Sequence, residues 1–279
     1  MRNSTAYLFL APSLVGLCIF VLFPFGDMVR RSFFNTIGSR FTGLENYTSV
    51  VTNTAFQQAV TNTARFISVC IPLLLLISLV LALLVRFIRP HGKVFKTSFL
   101  IPMAVPVASI VLLWQALFHK MGIINNILAC MGGTPIDFME TDAAFWVLII
   151  TYLWKNSGYT MILLLAGLDG IPSQMYEAAG VDGAGTLQKY RFITLPELFP
   201  TLLLTAVLSL LNSFKVFREA YLVAGSYPHK SIYLLQHLFN NWFLDLDLGR
   251  LSAAAVLVAA ALLGLMIVLW RMWKGEDAL

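Results

Sequence analysis

Long charge-free blocks of apolar residues, separated by shorter polar stretches, dominate this chain. A helix rises 1.5 Å per residue, so roughly 20 apolar residues cross about 30 Å of hydrocarbon. Charge-free intervals of that length lie between Arg2 and Asp27, Arg65 and Arg86, Lys96 and Lys120, and Arg250 and Arg271. A further block, Ala143 to Leu168, is interrupted once, by Lys155; another begins after Glu197 and meets Lys215, Arg218 and Glu219 before ending near Leu222. The pattern predicts an all-α integral membrane protein: one domain over residues 1–279, with six transmembrane helices at 6–28, 64–87, 97–118, 143–168, 198–222 and 251–272. The first block is longer than a signal-peptide core, follows a poor basic region and is followed by no A-x-A site, so it is expected to remain as a helix. Pro12 and Pro24 near its ends are tolerable in a membrane helix.

The connections differ in kind. Residues 30–63 and 223–250 are mixed and aromatic, and residues 119–142 carry the turn signal Gly132-Gly133-Thr134-Pro135. Within residues 169–196, Pro172 suits the first turn of a helix. Ser173 to Val181 has no breaker before Gly180, and Gly183 and Gly185 are expected to end a short helix there. Orientation follows the Lys and Arg of short loops. Arg86, Arg89, Lys93 and Lys96 occur without an acid in one loop, which places that loop and residues 169–196 in the cytoplasm, with both termini inside.

Composition supports a lipid solvent. The chain is 58% hydrophobic and 12% charged, against about 25% charged in ordinary globular proteins. A net charge of +5 is scattered between the apolar blocks and forms no basic patch, which fits anionic lipid headgroups and argues against nucleic acid. Cys18, Cys70 and Cys130 show no pairing pattern. His91, His119, His229 and His237 have no ligand spacing, so neither a metal nor haem is expected. There is no G-x-S-x-G or comparable nucleophile set, and no catalysis is expected in this chain.

One inner stretch carries a signature. From Glu177 the chain reads EAAGVDGAGTLQKYRFITLP, with Glu177, Ala178, Ala179, Gly183, Ile193, Leu195 and Pro196 at the spacing E-A-A-x3-G-x9-I-x-L-P. This resembles the signature of the membrane subunits of binding-protein-dependent ABC importers. Phe23-Pro24, the stretch FTGLENY from Phe41 to Tyr47, Asn62-Thr63, Trp154-Lys155, Ala166-Gly167-Leu168 and Ile171-Pro172 extend the resemblance. The opening through Pro24 and Ser32-Phe33 is similar to the first partner of heterodimeric carbohydrate permeases of the maltose and glycerol-phosphate importer type. The resemblance implies a type I ABC importer permease fold in a prokaryotic inner membrane. It also implies a second permease subunit, two ATPase subunits and an extracytoplasmic binding protein that delivers a carbohydrate. In the family, the short helix of the signature docks in the ATPase. Here Ala178 and Ala179 permit close approach, Met175 and Tyr176 are expected as apolar anchors for that partner, and Glu177 can pair with a base. No GxxxxGK[ST] occurs: Gly92-Lys93 is followed by Val94. ATP and Mg are therefore expected in the partner ATPase, and no cofactor in this chain.

Polar groups inside a membrane block usually face a partner or a wet cavity. Tyr152, Lys155, Asn156 and Tyr159 follow i, i+3, i+4, i+7, one helical face. Aligned through Trp154, these positions match those that contact sugar in the maltose-importer permease, although only Tyr159 keeps the residue type. The same alignment, anchored on Phe214 and Phe217, points to Asn212, Ser213 and Val216. Paired donors and acceptors beside aromatic faces suit a sugar; hydrogen bonding between helices is the alternative use of such a stripe. Lys215 and Glu219, at i, i+4, are expected to neutralise each other. The chain departs from the family pattern in FREAYLVAGSYP, from Phe217, where an acidic residue and Gly-Gly-Pro are common. The competing function is a stand-alone secondary transporter or channel, which would lack the signature and need coupling-ion carboxylates within its spans. An intramembrane enzyme lacks its catalytic set.

Overall fold

The computed structural model describes residues 2–35, 38–88 and 92–276, without the side chains of 2–8, 92–93 and 272–276. Of the residues used to orient the chain, Arg89 and the side chain of Lys93 lie outside the described part, as does His91. The helices are α1 (Arg2–Leu17), α2 (Phe23–Arg31), α3 (Glu45–Thr52), α4 (Thr54–Phe87), α5 (Gly92–Ala104), α6 (Val107–Phe118) and α7 (Ile123–Cys130). They continue as α8 (Ala143–Gly170), α9 (Ser173–Val181), α10 (Thr186–Lys189), α11 (Leu195–Ser213), α12 (Phe217–Ala224), α13 (Leu235–Leu244) and α14 (Leu248–Glu276). π-helical turns at Cys18–Leu22 and Tyr190–Thr194 carry α1 into α2 and α10 into α11, and a 3₁₀ turn at Phe214–Val216 joins α11 to α12.

Five helical stretches among the described residues are long and apolar enough to cross a membrane: Phe9–Arg31, Thr54–Phe87, Val107–Cys130, Thr186–Ala224 and Leu248–Arg271. The 28-residue α8 has the length but a polar middle, so this criterion gives five where the apolar blocks predict six. Two of those blocks are bounded differently. α4 begins at Thr54, ten residues before the predicted start at 64, because its first turns are polar yet free of helix breakers. The interval 97–118 is split at Val105–Pro106: proline has no N–H to donate and disfavours helical geometry in the residue before it. Charge-free length carries no trace of either feature.

The chain divides into two compact units, Met1–Gln58 with Leu238–Val268, and Ala59–His237 with Leu269–Leu279. In the first, the helix through Phe9, Phe20 and Phe23 exposes apolar side chains along its length, as a lipid-facing helix does. After it, Asn46 donates to the carbonyls of Ser32 (2.9 Å) and Phe34 (2.7 Å), and Ser32 shares a hydrogen bond with Tyr47 (2.7 Å). The stretch FTGLENY thus closes a loop on itself.

The second unit holds two buried clusters. One gathers Phe66, Leu74, Ile110, Trp114, Leu148, Tyr152 and Ile232, and the other Ala82, Met161, Leu164, Leu168 and Leu198. α8 runs through both and packs against α5 and α11. A methyl group at Gly158 would meet the Phe99 carbonyl oxygen at 1.8 Å, so the α5 and α8 backbones touch where only glycine fits. Asn62 donates to the Lys230 (2.6 Å) and Tyr233 (2.9 Å) carbonyls, and Thr63 accepts from the Leu235 amide at 3.0 Å. The pair Asn62-Thr63 therefore anchors the segment that leads into α13.

Candidate functional site

The middle of α8 and the α11–α12 junction border an open-sided cavity of about 180 Å³ within the second unit. Tyr152, Lys155 and Asn156 line it from α8, and Asn212 and Val216 from the junction; Thr151, Met103, Lys215, Arg218 and Glu219 complete the wall. Five of the seven residues expected along a substrate path thus share one space. Tyr159 and Ser213 do not line it. Ser213 is buried and its hydroxyl donates to the Leu210 carbonyl at 2.6 Å, so it is used within its own helix.

Several of the lining groups are already engaged. The Tyr152 hydroxyl donates to the Ser209 carbonyl at 2.8 Å while its ring stands edge-on to Phe66, which fixes α8 against α11. Asn156 donates to the Tyr152 carbonyl at 2.8 Å. Lys155 Nζ donates to Glu219 Oε1 at 2.6 Å, the two side chains being 17% and 6% exposed. The other carboxylate oxygen, Oε2, is buried without a hydrogen-bond partner, so a single oxygen carries the pair.

This overturns the expected pairing of Lys215 with Glu219. Lys215 stands in the 3₁₀ turn Phe214–Val216, where residues advance about 120° rather than 100°, and the i, i+4 neighbourhood of a regular helix is lost. Its Nζ donates instead to Asn212 Oδ1 at 2.7 Å. A lone lysine in a predicted span demands an acid, and that was the available signal for Glu219; its pairing across 64 residues is not encoded in any local spacing.

The signature forms a second feature. Glu177, Ala178 and Ala179 lie on α9, Gly183 just beyond its end, Ile193 in the π-helical turn, and Leu195 and Pro196 at the start of α11. Pro172 precedes the helix as its N-cap, one residue earlier than the first-turn position. The C-terminus is closed by a Schellman arrangement: the Gly183 amide donates to the Gly180 carbonyl (3.2 Å) and the Ala184 amide to the Ala179 carbonyl (2.8 Å). Gly183 adopts φ +79°, the left-handed conformation that glycine takes without steric cost. Glu177 and Ala178 are exposed, Ala179 is half-buried, and Val181 at the end of the helix is 90% exposed.

Met175 and Tyr176 are half-buried and turned toward their own chain. Both pack with Ile193 against the cluster around Leu164 and Leu198, and the Tyr176 hydroxyl shares a hydrogen bond with Thr194 at 2.9 Å. They hold α9 to its own chain. Exposed apolar residues here include Leu195 of the signature and also Val181, Leu187 and Phe192, which lie outside it.

Residues 74–273 match the family described as binding-protein-dependent transport system inner membrane component. The chain belongs to this family. Curated relatives match the permease over nearly its whole length. The sulfoquinovosyl glycerol transport system permease protein SmoG of Agrobacterium fabrum is 31% identical, over 98% of this chain and 91% of the relative. The trehalose/maltose transport system permease protein MalF of Thermococcus litoralis is 30% identical, over 94% and 91%. The permease also shares its fold with a chain of a bacterial ABC transporter that imports the acidic polysaccharide alginate, with a TM-score of 0.84 at 21% identity over 98% of this chain and 96% of that one. Its cavity and its exposed α9 are therefore features of a multi-pass transport permease.

Proposed function

We propose that this permease is the membrane-spanning translocation subunit of an ATP-driven importer for a saccharide, and that α9 with Gly183 couples it to a separate ATPase. The observation that carries the reading is the cavity itself. A polar wall from the middle of α8 and a second from the α11–α12 junction meet around an open-sided space in an otherwise apolar chain, where polar groups are costly unless they serve a path. Its amides and lysines offer the mixed donors and acceptors that hydroxyl-rich ligands need. Relatives named for sulfoquinovosyl glycerol, for trehalose and maltose, and for lactose support the saccharide class.

The remaining parts follow from the same reading. α9 offers Glu177, Ala178 and Val181 to a partner surface, and ATP with Mg belongs to that partner. The proposed assembly comprises this chain, a second permease, two ATPase subunits and an extracytoplasmic binding protein. A related structure was solved in complex with an alginate pentasaccharide-bound periplasmic protein, which fits that arrangement. α8 is the sixth span, and both termini are cytoplasmic in an inner membrane.

Affinity purification of this chain, co-expressed with its genomic neighbours, tests the proposal. It should bring down an ATPase and a second permease, and the purified complex should take up the saccharide retained by the cognate binding protein when ATP is supplied. A stable, transport-competent protein that recovers no ATPase would contradict it.

A further inference from the structure

The cavity wall carries more positive charge than its single acid can neutralise. Lys155, Lys215 and Arg218 line it with one carboxylate, Glu219, and Glu219 is committed to Lys155 at 2.6 Å. Lys215 reaches a neutral amide oxygen, that of Asn212. Among the described residues no carboxylate is paired with Lys215 or Arg218. The contact between Lys155 and Glu219 sets these groups level with the middle of the 28-residue α8, where an uncompensated cation is expensive and marks a pathway by default.

Two exposed cations without an acid beside open space offer a site to an anion. Building on the importer reading, we propose that the saccharide carried through this cavity is anionic, bearing a carboxylate, sulfonate or phosphate that Lys215 and Arg218 meet. The chemistry of the wall suits that role. Arginine offers a planar fork that matches such oxyanions, and lysine a mobile point charge. Asn156 and Asn212 supply the neutral polar groups for hydroxyls. The Lys155–Glu219 pair removes one positive charge from the wall, which limits retention, because a path must bind its cargo weakly enough to release it. An acid from the second permease subunit is the competing partner for these cations. A subunit contact would be lost together with assembly, which the test reads alongside uptake.

The test uses the source cells with the chromosomal copy deleted and complemented by wild type, Lys215→Gln, Arg218→Gln or both substitutions. Cells receive one mixture of neutral oligosaccharides from starch and cellulose, uronic-acid oligosaccharides from pectin and alginate, sugar sulfonates and sugar phosphates, and depletion is followed by mass spectrometry. Deletion should abolish uptake of anionic members alone. The double variant should lower that uptake roughly tenfold or more, the size expected for losing a charge-assisted contact, with the amount and melting temperature of the assembled complex unchanged. Loss of neutral saccharides to the same extent or instead, wild-type uptake by the double variant, or release of the second permease subunit from the double variant would each overturn the inference. Loss of no saccharide on deletion would sink the importer reading as well, which separates the two failures.

Discussion

Lys155 and Glu219 set the character of the cavity more than any other pair. Removing one partner of a buried ion pair leaves an uncompensated charge and costs about 3–5 kcal/mol, whereas replacing both with apolar residues of similar volume is often neutral. Glu219→Gln should therefore lower the melting temperature of the purified complex sharply, and Lys155→Met with Glu219→Leu should restore most of it. Equal stability of the single variant and wild type would show that the pair is not held in the folded protein. His237 gives a pH-dependent counterpart outside the spans. It is fully buried between Phe217 and Tyr233, its Nδ1 accepts from the Leu234 amide, and Nε2 has no partner. Burial lowers its pKa from 6.5 to about 4. The unfolded chain binds a proton below pH 6.5 that the folded imidazole refuses until about pH 4, so stability falls as pH drops through that window, by up to about 3 kcal/mol. Melting curves from pH 7 to 4.5 should show this loss and His237→Asn should flatten it; parallel curves for the two proteins would contradict it. Lys155 was legible in the sequence as a charge in an apolar block. Its partner was not, because ion pairing across the bundle depends on how α8 and α12 meet.

At the scale of the element, the clearest case is α9. Its stop at Gly183 is readable from the residue itself, since a Schellman end wants a left-handed residue and glycine supplies it. The direction of Met175 and Tyr176 was not readable, because a nine-residue helix offers no periodicity long enough to tell the face that packs on α11 from the face left exposed. Gly183→Val places a β-branched side chain at φ +79°, a conformation that costs such residues about 1–2 kcal/mol or more. Co-purification of the ATPase with this variant should drop several-fold while membrane insertion is unchanged, and Gly183→Asn, which tolerates that conformation, should retain most of it. Wild-type ATPase recovery with Gly183→Val would remove α9 as the coupling element. The division of α5 from α6 at Pro106 and the early start of α4 at Thr54 belong to the same scale. Charge-free length locates where a helix can be in lipid, but hydrogen-bonding capacity decides where it begins and breaks.

For the molecule as a whole, apolar blocks defined an all-helical membrane protein, and the match over residues 74–273 places it among transport permeases. The number of crossings turns on α8, which has the length to cross and many buried residues but a polar middle. If α8 crosses, cysteines introduced at Thr134 and Ser173, in a background without Cys18, Cys70 and Cys130, should react with impermeant reagents from opposite sides of the membrane; labelling of both from one side would contradict six spans. The central claim is that the cavity between α8 and the α11–α12 junction is the transport path. The most direct measurement places single cysteines at Asn156 and Asn212 in that background, assembles the importer in proteoliposomes and treats it with a small water-soluble thiol reagent. The account predicts that both positions are modified, that modification blocks uptake of the saccharide retained by the binding protein, and that the complex stays assembled. Unmodified cysteines, or uptake at the normal rate after complete modification, would contradict it.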